Sequence, residues 1–367
     1  MGRRLKDARQ EVGLSTRKVC EKLPKRINLS HTRLATFENG EASVPIDVLT
    51  ALASIYDRPL NWFLESSKSL SGFRYRNLRS RVKVKEKRQF EALATKWAEA
   101  YFRLEQRLNK PLKVRSTFRK MDVDPDTPPR DLATKVRGML GLDDDQPVLN
   151  VIDDVVHAFG VRVMEAESPL AIDGVAARRG RDFVVVLNRD TTSDRLRLNA
   201  AHELAHALYD DCKEDNGWSD EFVEQRAYEF GSHLLLPDKA LDAALKRKSF
   251  IRLIEFKKRY GISLAAMIYR AEKSGKIKTT TARWLWMNMA QRGWRKKEPG
   301  LVWRERAIRF EELLDAAIHS KELTWSEAES VTGITESTLK QRLQEAAGLC
   351  DPDGEGENEP QVLRIET

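Results

Sequence analysis

Apolar residues recur at helical spacing throughout the first 66 residues, in several short segments separated by glycine, proline and asparagine. Ser15 and Ser30 each stand where an N-cap would begin a new helix, since a serine hydroxyl can accept a hydrogen bond from a first-turn N–H. Short helices joined by tight turns are typical of a helix-turn-helix bundle. We predict such a bundle for residues 1–66.

The rest of the pattern divides into four segments. Residues 67–120 predict a basic linker helix with one apolar face, and residues 121–237 predict a core of helices and short strands. Residues 238–350 predict a helical domain, while the acidic, glycine-containing tail 351–367 predicts disorder. The expected fold class is therefore α+β and mostly α.

The strand signals of the core are local and short. Val161–Met164 predicts a short strand, and Gly174–Ala177 with Asp182–Leu187 predicts a hairpin around a glycine-containing turn. A small sheet is therefore expected directly before the next helical stretch.

That stretch contains the motif His202-Glu203-Leu204-Ala205-His206. Residues four apart lie on one face of a helix, so His202 and His206 can bind one divalent metal ion. Glu203 would then take a proton from a water that the metal activates. The alternative is an amphipathic helix with incidental histidines.

A catalytic zinc needs a third protein ligand and one open position. Glu221, Glu224 and Glu229 lie on a second predicted helix that ends at Pro237, and all three compete by position alone. His233 is nearer the helix end, where a lone histidine is more often structural.

The stretches "RLRLNAAHELAHAL" and "EQRAYEFGSHLLLP" resemble the ImmA/IrrE family of metallopeptidases, and the resemblance extends from about residue 130 to 237. The sequence has Gly231 where the family usually has alanine. The resemblance implies that His202, His206 and Glu224 hold one zinc ion per chain and that Glu203 is the general base. It also implies a zincin-like core for residues 121–237.

Two further expectations concern this core. An edge strand of its sheet can hold an extended substrate through main-chain hydrogen bonds. Cys212 lies between His206 and Glu224 in sequence, so its thiolate could occupy the open zinc position and inhibit the resting enzyme.

The N-terminal segment resembles phage-repressor-like (XRE family) DNA-binding domains, on the pattern "GLS…KVCEKL…LSHTRLATFENG" and the aliphatic residues after it. A generic helical docking domain is the alternative. The third helix would enter the major groove of double-stranded DNA, with Arg33 reading a guanine edge. The predicted DNA contacts are Ser15, Thr16, Lys25, Arg26, His31, Thr32, Arg33 and Thr36. One module reads a half-site, so a homodimer is expected.

The chain has a net charge of +8, which favours an acidic partner such as nucleic acid. Residues 72–120 contain 16 Arg and Lys against four Glu, and the run Arg74–Arg88 is the better candidate for a nucleic-acid contact. The alternative is a solvated helix face.

The three cysteines, Cys20, Cys212 and Cys350, form no CxxC pair, which favours a reducing compartment. Neither a signal peptide nor a membrane span is apparent, so a cytoplasmic protein is expected.

These features predict a zinc endopeptidase fused to a DNA-binding domain. The expected substrate is a helix-turn-helix repressor whose cleavage relieves repression in a stress, mobile-element or phage-defence circuit. The alternative is a DNA-binding regulator whose peptidase-like domain senses a metal or ligand without cutting.

Overall fold

The molecule is described by a computed structural model, in which two compact units are formed by Met1–Ser69 and Leu70–Thr367. The structure describes residues 1–58, 60, 63, 70–75, 84–118, 121–166, 172–212, 218–247 and 249–348. The tail 351–367, Cys350 and residues 76–83 of the basic run lie outside the described residues.

The first unit confirms the predicted bundle of short helices. Its helices are α1 (Gly2–Glu11), α2 (Thr16–Lys22), α3 (His31–Glu38) and α4 (Ile46–Ile55). Ser15 accepts a hydrogen bond from the Lys18 amide at 3.3 Å, and Ser30 accepts one from the Arg33 amide at 3.2 Å. Each cap satisfies an N–H group that the helix itself leaves without a partner.

In the described part of the second unit there are four strands and the remaining helices. The strands are β1 (Ser71–Tyr75), β2 (Arg162–Ala166), β3 (Gly174–Arg179) and β4 (Asp182–Asn188). The helices are α5 (Val84–Arg107), α6 (Pro129–Met139), α7 (Ser193–Leu208), α8 (Asp220–Leu235), α9 (Asp238–Leu245), α10 (Phe250–Tyr260), α11 (Leu264–Lys273), α12 (Thr279–Gln291), α13 (Arg309–His319), α14 (Trp325–Thr332) and α15 (Glu336–Ala346). The segment before Gly160 is an irregular helix, with a π-helical turn at Ile152–Val156 and a 3-10 turn at His157–Phe159.

The four strands form one mixed sheet in the order β1-β3-β4-β2. The pairs β1–β3 and β3–β4 are antiparallel, whereas β2 and β4 are parallel. The predicted strand and hairpin are confirmed as β2 and as β3 with β4. Strand β1 was not predicted, because its five residues beside a basic run show no clear alternation of apolar and polar side chains.

Alternate residues of β3 and β4 face two apolar clusters, as the two-residue period of a strand requires. On one face, Ala176 and Val185 pack with Leu204 of α7. On the other, Val175 and Val184 belong to a cluster that includes residues of α5 and α13. The sheet is therefore covered on both sides.

Helix α5 was predicted as part of a linker with one solvated face, and the structure packs it into the second unit. Its residue Tyr101 is fully buried. Glu105, 2% exposed, accepts hydrogen bonds from Arg162 Nη2 at 2.8 Å and from Arg309 Nη1 at 2.7 Å. These charges join α5, the sheet and α13, and removing one partner of such a buried pair costs about 3–5 kcal/mol.

The basic run Arg74–Arg88 does not present all of its described side chains to solvent. Arg74 donates hydrogen bonds to the Asp211 carbonyl and to Asp220, and the Lys87 ammonium lies 4.2 Å from the centre of the Tyr75 ring. Arg74 is therefore engaged within the protein rather than free for nucleic acid. Among the described residues, no helix is long and apolar enough to cross a membrane.

Candidate functional sites

Helix α7 places two imidazoles on one buried face. His202 is 2% exposed and His206 is fully buried, and their Nε2 atoms lie 3.1 Å apart. Because two N–H donors cannot hydrogen-bond to each other, at least one of these nitrogens presents a lone pair. The i, i+4 spacing thus produces the convergence expected of a metal site.

Helix α8 brings one carboxylate to these nitrogens. Glu224 Oε2 lies 3.2 Å from His202 Nε2, and Glu224 Oε1 lies 3.5 Å from His206 Nε2. Of the three competing glutamates, the geometry selects this one: Glu221 is exposed, and Glu229 accepts a hydrogen bond from its own helix. His233 is also placed elsewhere, 3.9 Å from Asp238.

We call His202, His206 and Glu224 the His–His–Glu cluster; one ligand atom from each lies within 4.8 Å of the others. A tetrahedral ion with bonds of about 2.0–2.1 Å holds its ligand atoms about 3.3 Å apart. The two Nε2 atoms, 3.1 Å apart, fit that spacing, and each has a different oxygen of Glu224 at a similar distance, 3.2 Å from His202 and 3.5 Å from His206. Three protein donors leave one position open, as a catalytic site needs.

Gly231 lies where α7 and α8 approach each other closely. A Cβ atom at this position would lie 3.1 Å from the His202 amide nitrogen and 3.3 Å from Ala201 Cβ. Those distances are tighter than ordinary van der Waals contact. The substitution of glycine for the usual alanine of the family is therefore matched by close helix packing.

Asp211 supports the cluster from behind, and the sequence analysis missed it. It is 1% exposed; its Oδ2 lies 3.1 Å from His206 Nδ1, and its Oδ1 accepts a hydrogen bond from Arg226 at 2.6 Å. Burial opposes protonation of His206, but the hydrogen bonds to Asp211 and Glu224 and nearby acidic charges raise its pKa to about 9. A carboxylate on Nδ1 turns Nε2 toward the metal position.

Replacing Asp211 by Asn is expected to weaken zinc binding by roughly 10–100-fold, because His206 loses a charged partner that orients its ring. Competition with a chromophoric chelator measures the change. Asp242→Asn, which alters an exposed ion pair with Lys276, is the matched control. An unchanged affinity in a folded Asp211→Asn protein would contradict the supporting role.

Glu203 lies outside the His–His–Glu cluster but beside it, and its side chain is fully buried. Its negative charge contributes to the raised pKa of His206. A Cβ atom on Gly174, the first residue of β3, would lie 2.7 Å from Glu203 Oε1. A side chain at this position would therefore displace the Glu203 carboxylate from its present place.

Cys212 is not among the residues that the structure brings into the His–His–Glu cluster. Its side chain is buried in the apolar cluster under the sheet. Burial, followed by the charges of Glu203 and Asp211, raises the pKa of its thiol. A protonated thiol is a poor zinc ligand, so this conformation does not show the predicted inhibitory contact.

In the first unit, His31, Thr32 and Arg33 are exposed at the start of α3, whereas Leu34 and Phe37 are buried. The Arg33 guanidinium lies 5.1 Å from the centre of the Phe37 ring. The other predicted contacts (Ser15, Thr16, Lys25, Arg26 and Thr36) are exposed or half-buried. An exposed, polar α3 is what insertion into a DNA groove requires.

Comparison with known families agrees with both predicted resemblances. Residues 156–272 match the model of the IrrE N-terminal-like domain, peptidase M78, and residues 1–61 match that of a helix-turn-helix domain. The first match extends past residue 237, where the core was predicted to end, to the last turn of α11. No curated protein matches the chain. The chain therefore joins an N-terminal helix-turn-helix DNA-binding domain to an IrrE N-terminal-like domain of the peptidase M78 family.

Proposed function

We propose that the protein is a zinc-dependent endopeptidase that is targeted to DNA and cleaves a helix-turn-helix repressor. The observation that carries the proposal is the convergence of His202, His206 and Glu224, with the buried carboxylate of Glu203 beside them. Two imidazoles and one carboxylate, with an open fourth position, form a donor set typical of hydrolytic zinc sites.

Zinc bound there would supply Lewis acidity, which polarises a peptide carbonyl and makes water more acidic. The chain supplies the remaining chemistry. Glu203 accepts the proton of the attacking water and returns it to the departing amine. Asp211 holds the His206 ring in place through a hydrogen bond to Nδ1, and Arg226 in turn donates a hydrogen bond to Asp211.

The first unit supplies DNA binding. Its helix α3 inserts into the major groove, where Arg33 donates to a guanine edge, while Lys25 and Arg26 contact phosphates. Binding as a homodimer would match two half-sites. Cleavage would then occur at the promoter that the repressor controls.

Arg33→Ala is expected to cost about 1–3 kcal/mol of binding free energy at the preferred sequence and to relax preference at one base pair. Lys25→Ala should instead weaken binding to all sequences and reduce the salt dependence. Binding to selected and random duplexes, each measured over a range of salt, separates the two. If Arg33→Ala loses the same binding free energy on all duplexes, Arg33 contacts a phosphate rather than a base.

The direct test is co-expression with a candidate helix-turn-helix repressor, such as one encoded by a neighbouring gene. We expect the partner to shorten to defined fragments, and we expect purified protein to contain one zinc per chain. Fragment masses identify the cleavage site. A partner that remains intact beside zinc-loaded protein would count against peptidase activity on that repressor.

One observation favours the alternative, a regulator that senses metal or ligand without cutting. Glu203 has no exposed surface, so a substrate carbonyl cannot reach it in this conformation. In that case removing zinc should change DNA affinity while no partner is cleaved. DNA binding that is the same with and without zinc would exclude sensing of the metal and would show that the two modules are separable in this respect.

A further inference from the structure

Strand β1 covers an edge of the sheet that would otherwise be open. It pairs antiparallel with β3, with Ser71 opposite Arg178, Arg74 opposite Ala176, and Tyr75 opposite Val175. Without β1, β3 would be the edge strand, since its other side is paired with β4. An unpaired edge is where an extended peptide adds to a sheet.

The edge that β1 covers leads to the catalytic carboxylate. Tyr75 lies opposite Val175, the neighbour of Gly174, and Gly174 makes the close approach to Glu203. A substrate held by main-chain hydrogen bonds beside Glu203 needs these same positions on β3. Strand β1 and such a substrate therefore exclude each other.

The Arg74 side chain attaches β1 to the turn after α7 and to the start of α8, the two helices that carry the His–His–Glu cluster. Arg74 Nε donates to the carbonyl of Asp211 at 2.8 Å, and Arg74 Nη1 donates to Asp220 Oδ1 at 2.5 Å. Asp211 supports His206, and Asp220 begins α8, the helix of Glu224. The guanidinium thus connects the two segments that position the proposed ligands.

The neighbours of Arg74 are aromatic. The rings of Phe73 and Tyr75 stack at 6.2 Å, and Tyr75 is 8% exposed. The Tyr75 hydroxyl donates to Glu91. Gly72, with φ 61°, passes so close to the backbone that an added Cβ would overlap the Cys212 carbonyl. The strand is therefore held by contacts of three consecutive side chains, Phe73, Arg74 and Tyr75, in the order aromatic, basic, aromatic.

We propose that β1 is an internal pseudosubstrate: it occupies the edge of β3 to which the extended segment of a substrate would bind. This inference rests on the proposed peptidase function and names its substrate class: an extended segment with a basic residue between two aromatic side chains. The full burial of Glu203 fits a site closed by its own chain. A tethered strand competes at an effective concentration in the millimolar range, so a substrate binds only after β1 leaves.

The test uses zinc-loaded full-length protein carrying Glu203→Gln, so that no peptide is cut. The probe is a labelled synthetic peptide with the sequence of residues 70–75, Leu-Ser-Gly-Phe-Arg-Tyr. Adding Gly72→Ala should detach β1 and strengthen peptide binding at least about ten-fold. Gly275→Ala is the matched control: its φ is 69°, but nothing lies within 4 Å of the added carbon.

Arg74→Glu is a second releasing variant, because it places an acid beside Asp220. Hydrogen exchange at the Ala176 and Arg178 amides reports whether β1 has left β3, independently of peptide binding. A probe with Glu in place of Arg should bind the released protein more weakly than the original peptide. Both expectations follow from the hydrogen bonds that Arg74 donates to the Asp211 carbonyl and to Asp220.

Faster hydrogen exchange at the β3 amides without stronger peptide binding would overturn the proposal. The edge of β3 would then be open but would not bind a substrate-like peptide. Unchanged exchange and binding in both releasing variants would also overturn it, because β1 would not be displaceable. The readout needs no cleavage. Peptide binding to released protein that never cuts a repressor would refute only the peptidase function, and repressor cleavage without peptide binding would refute only the pseudosubstrate.

Discussion

Replacing Glu203 by Gln is expected to leave one zinc per chain and to abolish cleavage of the co-expressed repressor. Gln has nearly the same shape but cannot accept a proton from water, and a positioned general base contributes about 10²–10⁴-fold to rate. The side chain is fully buried and adjoins Gly174, so an isosteric replacement suits the close packing. Fragment yield after co-expression and metal analysis of the purified protein give the two readouts.

Glu221→Gln is the matched control for this experiment, because Glu221 is an exposed glutamate at the start of α8. It should cleave and bind zinc as the unaltered protein does. Retained cleavage by Glu203→Gln would refute the assignment of the base. Loss of both zinc and cleavage would show instead that the side chain supports the metal site.

Glu224→Ala is expected to lower zinc affinity by more than about 100-fold, a larger loss than the removal of a supporting partner causes. Burial disfavours the charged form of Glu224, but its hydrogen bonds to His202 and His206 outweigh burial and hold its pKa well below the usual range. The carboxylate is therefore ionised, as a zinc ligand must be. Competition titration measures the affinity.

The same variant gives a test by stability. Zinc present at about 1,000 times its dissociation constant stabilises a folded protein by about 4 kcal/mol. Chelation should therefore lower the free energy of unfolding of the second unit by about 4 kcal/mol in unaltered protein, but by only about 1.4 kcal/mol or less in Glu224→Ala at the same zinc concentration. Glu229→Ala, one turn or so further along α8, should respond like the unaltered protein. Equal chelator responses in all three would exclude Glu224 as a ligand.

Local signals allowed much of the structure to be predicted. Helical periodicity and caps such as Ser30 located the bundle, because these patterns depend on residues a few positions apart. The hairpin of β3 and β4 was found for the same reason. The spacing of His202 and His206 on α7 likewise follows from helix geometry alone.

Non-local contacts limited the rest. Glu224 could not be chosen over Glu221 and Glu229 from position, and only the family resemblance favoured it. Asp211 had no motif to mark it, since its role depends on how the chain turns after α7. Strand β1 exists because β3 lies beside it, and its partners are about 100 residues later in the chain.

The buried charges around Glu105 set the smallest part of the protein that can fold by itself. Residues 156–272 contain every member of the His–His–Glu cluster, yet Arg162 would lose Glu105 and one face of the sheet would lose α5 and α13. An orphaned buried guanidinium and a bare apolar face are each costly. The part that can fold by itself is therefore a longer piece, which begins at β1 and includes α13. Residues 156–272 are only a fragment of that piece.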